Sequence, residues 1–209
     1  MTLADAARGA GLRRFVERPP ARRMGEMCEM CAAPLGDAHQ HLVNLESRTL
    51  LCACRACYLL FVPEGAARGK YRAVPDRVRS QPGFRLDEGL WEALQIPVRM
   101  AFFFYNSALG RIVAFYPSPA GATESLLPLE AWQELTRANP GLENLAPDVE
   151  ALLVYGRRGS GFSSFIAPLD ACYELTGLVK RFWKGFDGGD EVWRQIEAFF
   201  AQLRSREAR

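Results

Sequence analysis

Five of the six cysteines and both histidines of this chain fall within thirty residues, from Cys28 to Cys57. The stretch contains two C-x-x-C pairs, Cys28-Glu-Met-Cys31 and Cys54-Arg-Ala-Cys57, separated by 22 residues. Each pair fits a tight turn in which both sulfurs can face one ion, and two such pairs are typical of a tetrahedral metal site. The spacing therefore predicts a four-thiolate site formed by Cys28, Cys31, Cys54 and Cys57.

Three further residues in this stretch are alternate ligands. Cys52 stands two positions before Cys54, so Cys52-Ala-Cys54 offers a competing choice of sulfur. His39 and His41 would share one face of an extended strand, so either both approach the metal or both face elsewhere. Surface or hairpin-packing positions are the simpler interpretation of the two histidines.

The chemistry of the cysteine-rich stretch has three possible interpretations. A site made only of thiolates has no open position for water, which favours a structural Zn²⁺ that stabilises a small module. Sulfur-only sites also accept iron, as in a rubredoxin-like electron carrier. However, Ala32 and Tyr58 stand where a rubredoxin usually has Gly. The third reading is an HNH-type nuclease with His41 as the catalytic histidine, but no His or Asn follows Cys57 where a second catalytic-metal ligand is expected.

The elements that must position these cysteines can be predicted from the residues between and after them. Apolar runs on either side of Glu46-Ser-Arg48 indicate a short β-hairpin. The apolar run from Ala56 to Phe61 indicates a short helix that begins near the second pair. A turn, a hairpin and a helix in this order predict a treble-clef or zinc-ribbon-like metal module over residues 26–73.

The remainder, residues 74–209, predicts an α+β domain with a mixed antiparallel sheet and C-terminal helices. The segment 77–83 has a linker-like composition, and it precedes a short helix that ends near Leu94. Asp170 and Asp190 are placed to cap the last two helices. The remaining predicted elements are two hairpins, with strands at 98–105 and 111–116 and at 149–155 and 162–166, and a helix at 129–138.

Composition limits the location and partners of the protein. The 26 Lys and Arg residues against 24 Asp and Glu residues give a net charge of +2, which argues against a dedicated nucleic-acid binder. No apolar run approaches the roughly 20 residues of a membrane helix, so membrane insertion is not expected. Residues 1–25 carry an excess of Arg and predict a mobile basic arm without an export signal. We therefore expect a cytoplasmic protein, in which thiols stay reduced.

No combination of nucleophile, base and orienting group is visible, because both histidines lie among the cysteines, so no catalytic residue is predicted. The segment Pro117–Ser125 follows a strand and is predicted to be a stiff polar loop. Its candidate partner-binding residues are Ser118, Thr123, Glu124 and Ser125.

Several segments together resemble an uncharacterised bacterial family whose genes commonly lie beside those for NiFe uptake hydrogenases. They are "CEMC", "LLCACRACYLLF", "AFYPSPAGATES", "PDVEALLV" and "PLDACYELTGLVKRFWKGFDGG", and the resemblance spans about residues 26 to 203. It implies a role in making, loading or contacting a hydrogenase. The expected partner is a hydrogenase subunit or maturation protein.

Overall fold

The computed structural model describes residues 26–63, 65–157 and 161–207, so the predicted basic arm at residues 1–25 lies outside the described part of the chain. The strands are β1 (Gln40–Asn44), β2 (Thr49–Ala53), β3 (Tyr71–Ala73), β4 (Arg79–Ser80), β5 (Met100–Asn106), β6 (Arg111–Ser118), β7 (Gly121–Ser125), β8 (Glu150–Arg157) and β9 (Gly161–Pro168). The α-helices are α1 (Arg55–Leu60), α2 (Glu88–Ala93), α3 (Leu129–Ala138), α4 (Leu169–Phe182) and α5 (Gly189–Glu207). Two 3-10 helices cover Ala66–Gly69 and Pro140–Asn144.

The main sheet contains six antiparallel strands in the order β4-β9-β8-β5-β6-β7. Its central strands are apolar on both faces because both faces are covered by helices. Phe102 of β5 packs in the core beneath α4 and α5, and the next residue, Phe103, packs on the opposite face with α2 and α3. The predicted α+β class, with an antiparallel sheet and C-terminal helices, is confirmed.

A second sheet has three strands in the order β2-β1-β3. Because side chains alternate along a strand, its two faces have different neighbours. Leu42 packs with the cysteines on one face, whereas Val43 belongs to the core of the main sheet. The small sheet therefore lies between the cysteine-rich turns and the main domain.

Polar contacts also join the small sheet to the rest of the chain. Arg72 donates a hydrogen bond to the Pro147 carbonyl oxygen (2.8 Å) and pairs with the Asp148 carboxylate (3.2 Å). The Tyr58 hydroxyl donates to the Val74 carbonyl oxygen (3.0 Å). The division into units at residues 26–73 and 74–209 stays a prediction.

A buried carboxylate organises the segment that was expected to be a linker. Glu150 at the start of β8 has a fully buried side chain and accepts hydrogen bonds from Arg77 (2.7 Å), Arg79 (3.2 Å) and the Ala146 amide (3.0 Å). Burial raises the pKa of Glu150, but the hydrogen bonds from Arg77 and the Ala146 amide and the nearby arginine charges lower it more. The carboxyl pKa is therefore below its ordinary value, and Arg79 is fixed in the short strand β4.

The predicted loop at Pro117–Ser125 is wrong, because β6 continues to Ser118 and β7 begins at Gly121. The two prolines of this segment argued against a strand, so the sequence did not indicate a hairpin here. β5 pairs with β6 only as far as Phe115. Beyond that point β6 has β7 as its only paired strand in the described sheet, and a residue without an N–H is tolerated along such an edge.

The predicted helix caps are also wrong. α4 begins at Leu169 after Pro168, without a side-chain cap, so Asp170 lies in its first turn. α5 begins at Gly189, so Asp190 is likewise in the first turn. Negative charge is favourable at both positions. None of the described helices is long and apolar enough to cross a lipid bilayer.

Candidate metal centre

The first C-x-x-C pair lies in a tight turn before β1. The Ala32 amide donates to the Cys28 carbonyl oxygen (2.7 Å), and the Cys28 amide donates to the Ala33 carbonyl oxygen (2.8 Å). Ala32 has a φ of 58°, in the left-handed region, which reverses the chain directly after the second cysteine. The turn places the Cys28 and Cys31 sulfurs near the same point in space.

The second pair lies at the junction of β2 and α1. Cys54 is the N-cap residue of α1, and its sulfur accepts a hydrogen bond from the Cys57 amide at 3.5 Å. Cys57 lies in the helix and is buried. Amide donors of this kind stabilise negative charge on a cysteine sulfur.

Glu29 fixes the position of one turn relative to the other. Its amide donates to the Cys52 carbonyl oxygen (2.9 Å), and its carboxylate accepts a hydrogen bond from the Cys52 amide (2.6 Å). Glu29 belongs to the first C-x-x-C turn, and Cys52 stands two residues before the second pair. This reciprocal pair of hydrogen bonds therefore holds the two cysteine pairs together.

The four sulfur atoms of Cys28, Cys31, Cys54 and Cys57 all lie within 4.8 Å of one another. The sulfurs of Cys31 and Cys54 are 3.7 Å apart. In a tetrahedral site with Zn–S bonds of about 2.3 Å, neighbouring sulfurs are about 3.8 Å apart. All six cysteines are free thiols. The four residues can therefore bind one metal ion with only small adjustments of the side chains.

The electrostatics of the cluster also suit a cation. Burial raises the pKa of Cys28, but hydrogen bonds from the backbone of Cys54, Met30 and Cys31 lower it more, to about 6. The hydrogen bond with the Cys31 thiol, together with burial, raises the pKa of Cys57 to about 12. One sulfur is thus a thiolate near neutral pH, whereas a second negative charge beside it is costly until a metal ion compensates it.

Cys52, His39 and His41 form a separate group. Their potential ligand atoms lie within 4.8 Å of one another. Burial and the carboxylates of Glu26 and Glu29 raise the pKa of the Cys52 thiol. The structure therefore brings the three alternate ligands together, but in a cluster other than that of the four thiols.

The predicted partner-binding residues lie on the β6–β7 hairpin at one edge of the main sheet. The Ser118 hydroxyl lies 2.9 Å from the Thr123 hydroxyl. Glu124 forms an exposed ion pair with Arg111 (3.1 Å). The Ser125 hydroxyl donates to a backbone carbonyl at 3.3 Å. These four polar side chains are therefore already paired within the chain.

Sequence reasoning did not find an aromatic cleft with a volume of about 1120 Å³. Its walls include Tyr116, Trp183 and Trp193, with Arg99 at one side. The two tryptophan rings are 6.3 Å apart, and Arg99 is held by Glu88 through two hydrogen bonds of 2.6 and 2.7 Å. The lining residues come from distant parts of the sequence, so no local pattern signals the cleft.

No curated protein and no solved structure matches this chain at a significant level. A model described as a family of unknown function (DUF5947) matches residues 27–207. The match covers the cysteine-rich turns, the small sheet, the main sheet and the helices on both of its faces. The chain therefore belongs to the family of unknown function DUF5947.

Proposed function

We propose that Cys28, Cys31, Cys54 and Cys57 bind one structural Zn²⁺, and that the protein is a non-catalytic accessory factor that acts through protein contacts. The observation that carries the zinc proposal is the mutual proximity of the four sulfurs. Four thiolates complete a tetrahedral coordination shell, so no position is left for a reacting water. Such a site contributes folding energy rather than chemistry.

The treble-clef-like interpretation of residues 26–73 belongs to this proposal. Its support is the order of the elements: a cysteine turn, the β1–β2 hairpin, and α1 with the second cysteine pair at its start. The module has little core of its own. Among the described residues, its fully packed cluster contains Cys28, Leu42, Ala53 and Cys57. A metal ion would supply the stability that this small core lacks.

Elemental analysis of protein purified under reducing conditions tests the proposal. We expect zinc bound to the four-thiolate site of the wild type, and loss of that zinc in a Cys28→Ser/Cys57→Ser variant. Cys172→Ala is the matched control, because Cys172 is a fully buried thiol in α4 and belongs to the core of the main sheet. A red protein containing iron would support the rubredoxin-like alternative. A folded wild type in which Cys28→Ser/Cys57→Ser leaves the metal content unchanged would refute the four-thiolate site.

The proposed partner is a subunit or maturation protein of a NiFe hydrogenase, in the cytoplasm. This part of the proposal rests on the resemblance of the sequence segments. The proposed contact surface is the β6–β7 hairpin with Ser118, Thr123, Glu124 and Ser125. A hairpin whose polar groups are already ordered loses little conformational entropy on binding.

Co-purification from cells that express the hydrogenase genes tests this surface. Glu124→Lys should weaken co-purification, because it reverses a half-exposed charge. It also breaks the ion pair with Arg111, so Arg111→Ala is the matched control. An exposed pair contributes about 0–1 kcal/mol to stability, so both variants should fold. Equal co-purification of Glu124→Lys and wild type would exclude this surface, and unchanged hydrogenase assembly after gene deletion would exclude the accessory role.

A further inference from the structure

His39, His41 and Cys52 converge on one face of the small sheet. His41 of β1 lies directly opposite Cys52 of β2 in the strand register. His39 precedes His41 by two residues, and the two imidazole rings have centroids 4.7 Å apart. Side chains that are paired across strands, or two apart along one strand, lie on the same face of a sheet. The register therefore brings two imidazoles and one thiol together.

Each imidazole is oriented by a hydrogen bond through its Nδ1 atom. His41 Nδ1 lies 2.9 Å from Asp170 Oδ2, in the first turn of α4. His39 Nδ1 lies 3.0 Å from the Gly36 carbonyl oxygen. A carboxylate and a carbonyl can only accept, so both Nδ1 atoms carry a proton, and in the neutral form of each ring the free lone pair is on Nε2. This arrangement is characteristic of histidines that bind a metal through Nε2.

The buried Nε2 atom of His39 makes no hydrogen bond within the described residues. The side chain is only 8% exposed, and Nε2 has no hydrogen bond among the described residues. A Glu26 carboxylate oxygen lies 3.5 Å away without hydrogen-bond geometry. A buried polar atom without a partner is costly, so such an atom points to a group that the protein itself does not provide. The nearby potential ligands are His41 and Cys52, whose ligand atoms lie within 4.8 Å of a ring nitrogen of His39.

The small sheet separates this cluster from the four thiols. Leu42 and Ala53 pack with Cys28 and Cys57 on one face. His41 and Cys52 belong to the opposite face, where Val43 contacts the core of the main sheet. The two sets of ligands are therefore distinct sites.

We propose that His39, His41 and Cys52 form a second metal site, which binds a borderline divalent transition-metal ion such as Zn²⁺ through two Nε2 atoms and one thiolate. Asp170 is a positioning residue that holds His41. Mixed nitrogen and sulfur ligands suit Zn²⁺, Co²⁺ and related ions rather than Mg²⁺ or Ca²⁺. Three protein ligands leave a coordination position that is open to water or a small ligand, in contrast to the closed four-thiolate site.

Only small movements of the three side chains are needed for them to bind one metal ion. In a tetrahedral site, ligand atoms about 2.0–2.3 Å from the metal are about 3.3–3.6 Å from one another. One ring nitrogen of each histidine and the Cys52 sulfur lie within 4.8 Å of one another. Side-chain rotation about χ1 and χ2 can close the difference without moving the strands.

Titration of the complete, metal-free protein with Co²⁺ under reducing conditions tests the second site. We expect the wild type to bind two ions. Ligand-field bands of tetrahedral Co²⁺ shift to shorter wavelength as imidazole replaces thiolate, so the two sites have different spectra. His39→Asn, His41→Asn and Cys52→Ser should each remove the second ion and retain the four-thiolate spectrum. That retained spectrum shows that the variant is folded, and Cys172→Ala is the control that should bind two ions.

The metal affinity of Asp170 variants provides an independent test. Asp170→Ala should weaken binding at the second site about 10- to 100-fold, as expected for loss of a carboxylate that orients a ligating histidine. Asp170→Asn should weaken it less, because the amide oxygen can still accept the Nδ1–H hydrogen bond. Saturation of the wild type at one ion, or two ions in a His39→Asn/His41→Asn variant, would overturn the second site. This test does not depend on the zinc proposal, because the two sites have different spectra and different variants.

Discussion

Removal of the metal from the four-thiolate site should unfold residues 26–73 and leave the main sheet folded. The buried cluster of this module is small, with Leu42 as its single large aliphatic side chain that is fully buried within the described residues. A buried Leu contributes about 2 kcal/mol. A structural zinc ion contributes about 10–16 kcal/mol. Since whole domains are stable by only about 5–15 kcal/mol, we expect the module to unfold without the proposed ion.

Unfolding of residues 26–73 should destabilise the main domain only by the energy of the contacts between the two parts. The partly exposed pairs Arg72–Asp148 and His41–Asp170 contribute about 0–1 kcal/mol each. Burial of Val43 contributes about 2 kcal/mol, and the partly buried Leu45 and Leu50, which pack against the same core, contribute about 1 kcal/mol each. Together these contacts amount to about 4–6 kcal/mol, which corresponds to about a 1,000- to 30,000-fold increase in amide exchange through global opening. Helix α5 should therefore remain protected while β2 becomes unprotected.

Hydrogen exchange detected by mass spectrometry, with and without a strong chelator, measures both regions in one sample. Peptides that contain β2 should exchange at the rate of an unfolded chain after chelation, and peptides that contain Phe199 in α5 should not. The Cys28→Ser/Cys57→Ser variant is the control, because the chelator should change nothing further in its β2. Equal loss of protection in β2 and α5 would refute the reasoning and show one cooperative unit.

Three other predictions follow from single residues. Because the pKa of Cys28 is about 6, metal binding to a His39→Asn/His41→Asn variant, in which only the four-thiolate site remains, should release about one proton more per chain at pH 5 than at pH 7.5, measured by calorimetry in two buffers. The lowered pKa of Glu150 contributes stability that is present above the unfolded pKa of about 4.3 and is lost as pH falls through the folded value. Glu150→Gln should therefore cost about 3 kcal/mol at pH 7 and less at pH 3.5 in denaturant unfolding. Gly188→Ala should destabilise the protein by about 2–4 kcal/mol, because Gly188 has a φ of 88° and the new Cβ would lie 2.8 Å from a side-chain atom of Val192. Gly185→Ala is the control and should destabilise the protein less, because its new Cβ would meet no atom within 4 Å.

The parts of the fold that could be predicted are those determined by local pattern. The helix at Leu129–Ala138 and the hairpin around Glu46-Ser-Arg48 have the expected bounds or nearly so. The proximity of the four cysteines followed from two turns placed next to one short hairpin. In each case the residues that form the element are neighbours in the sequence, so their periodicity and turn residues are sufficient to identify it.

The parts that could not be predicted depend on residues that are far apart in the chain. Aspartate is a common helix-capping residue, so the sequence suggested that role for Asp170. Only the packing of α4 against the small sheet places Asp170 beside His41, which is 129 residues away in the sequence. β4 has two residues and no apolar pattern, and it forms because Arg79 contacts the buried Glu150 beside an available edge of β9. The two residues of each pair are too far apart in the sequence for a local pattern to relate them.

The strand register explains why Cys52 and Cys54 have different roles although they are only two residues apart. In a continuous strand they would share a face, so the sequence makes them equivalent choices of ligand. β2 ends at Ala53, however, and Cys54 caps α1, so the turn carries the Cys54 sulfur to the face occupied by the other thiols. Cys52 remains within the strand, opposite His41. A shift of one residue in this register would exchange the two faces and dismantle both clusters together. Because both sets of ligands depend on the same register of β1 and β2, an ion bound at either proposed site would order the hairpin that the other site needs, and this linkage would act equally in both directions.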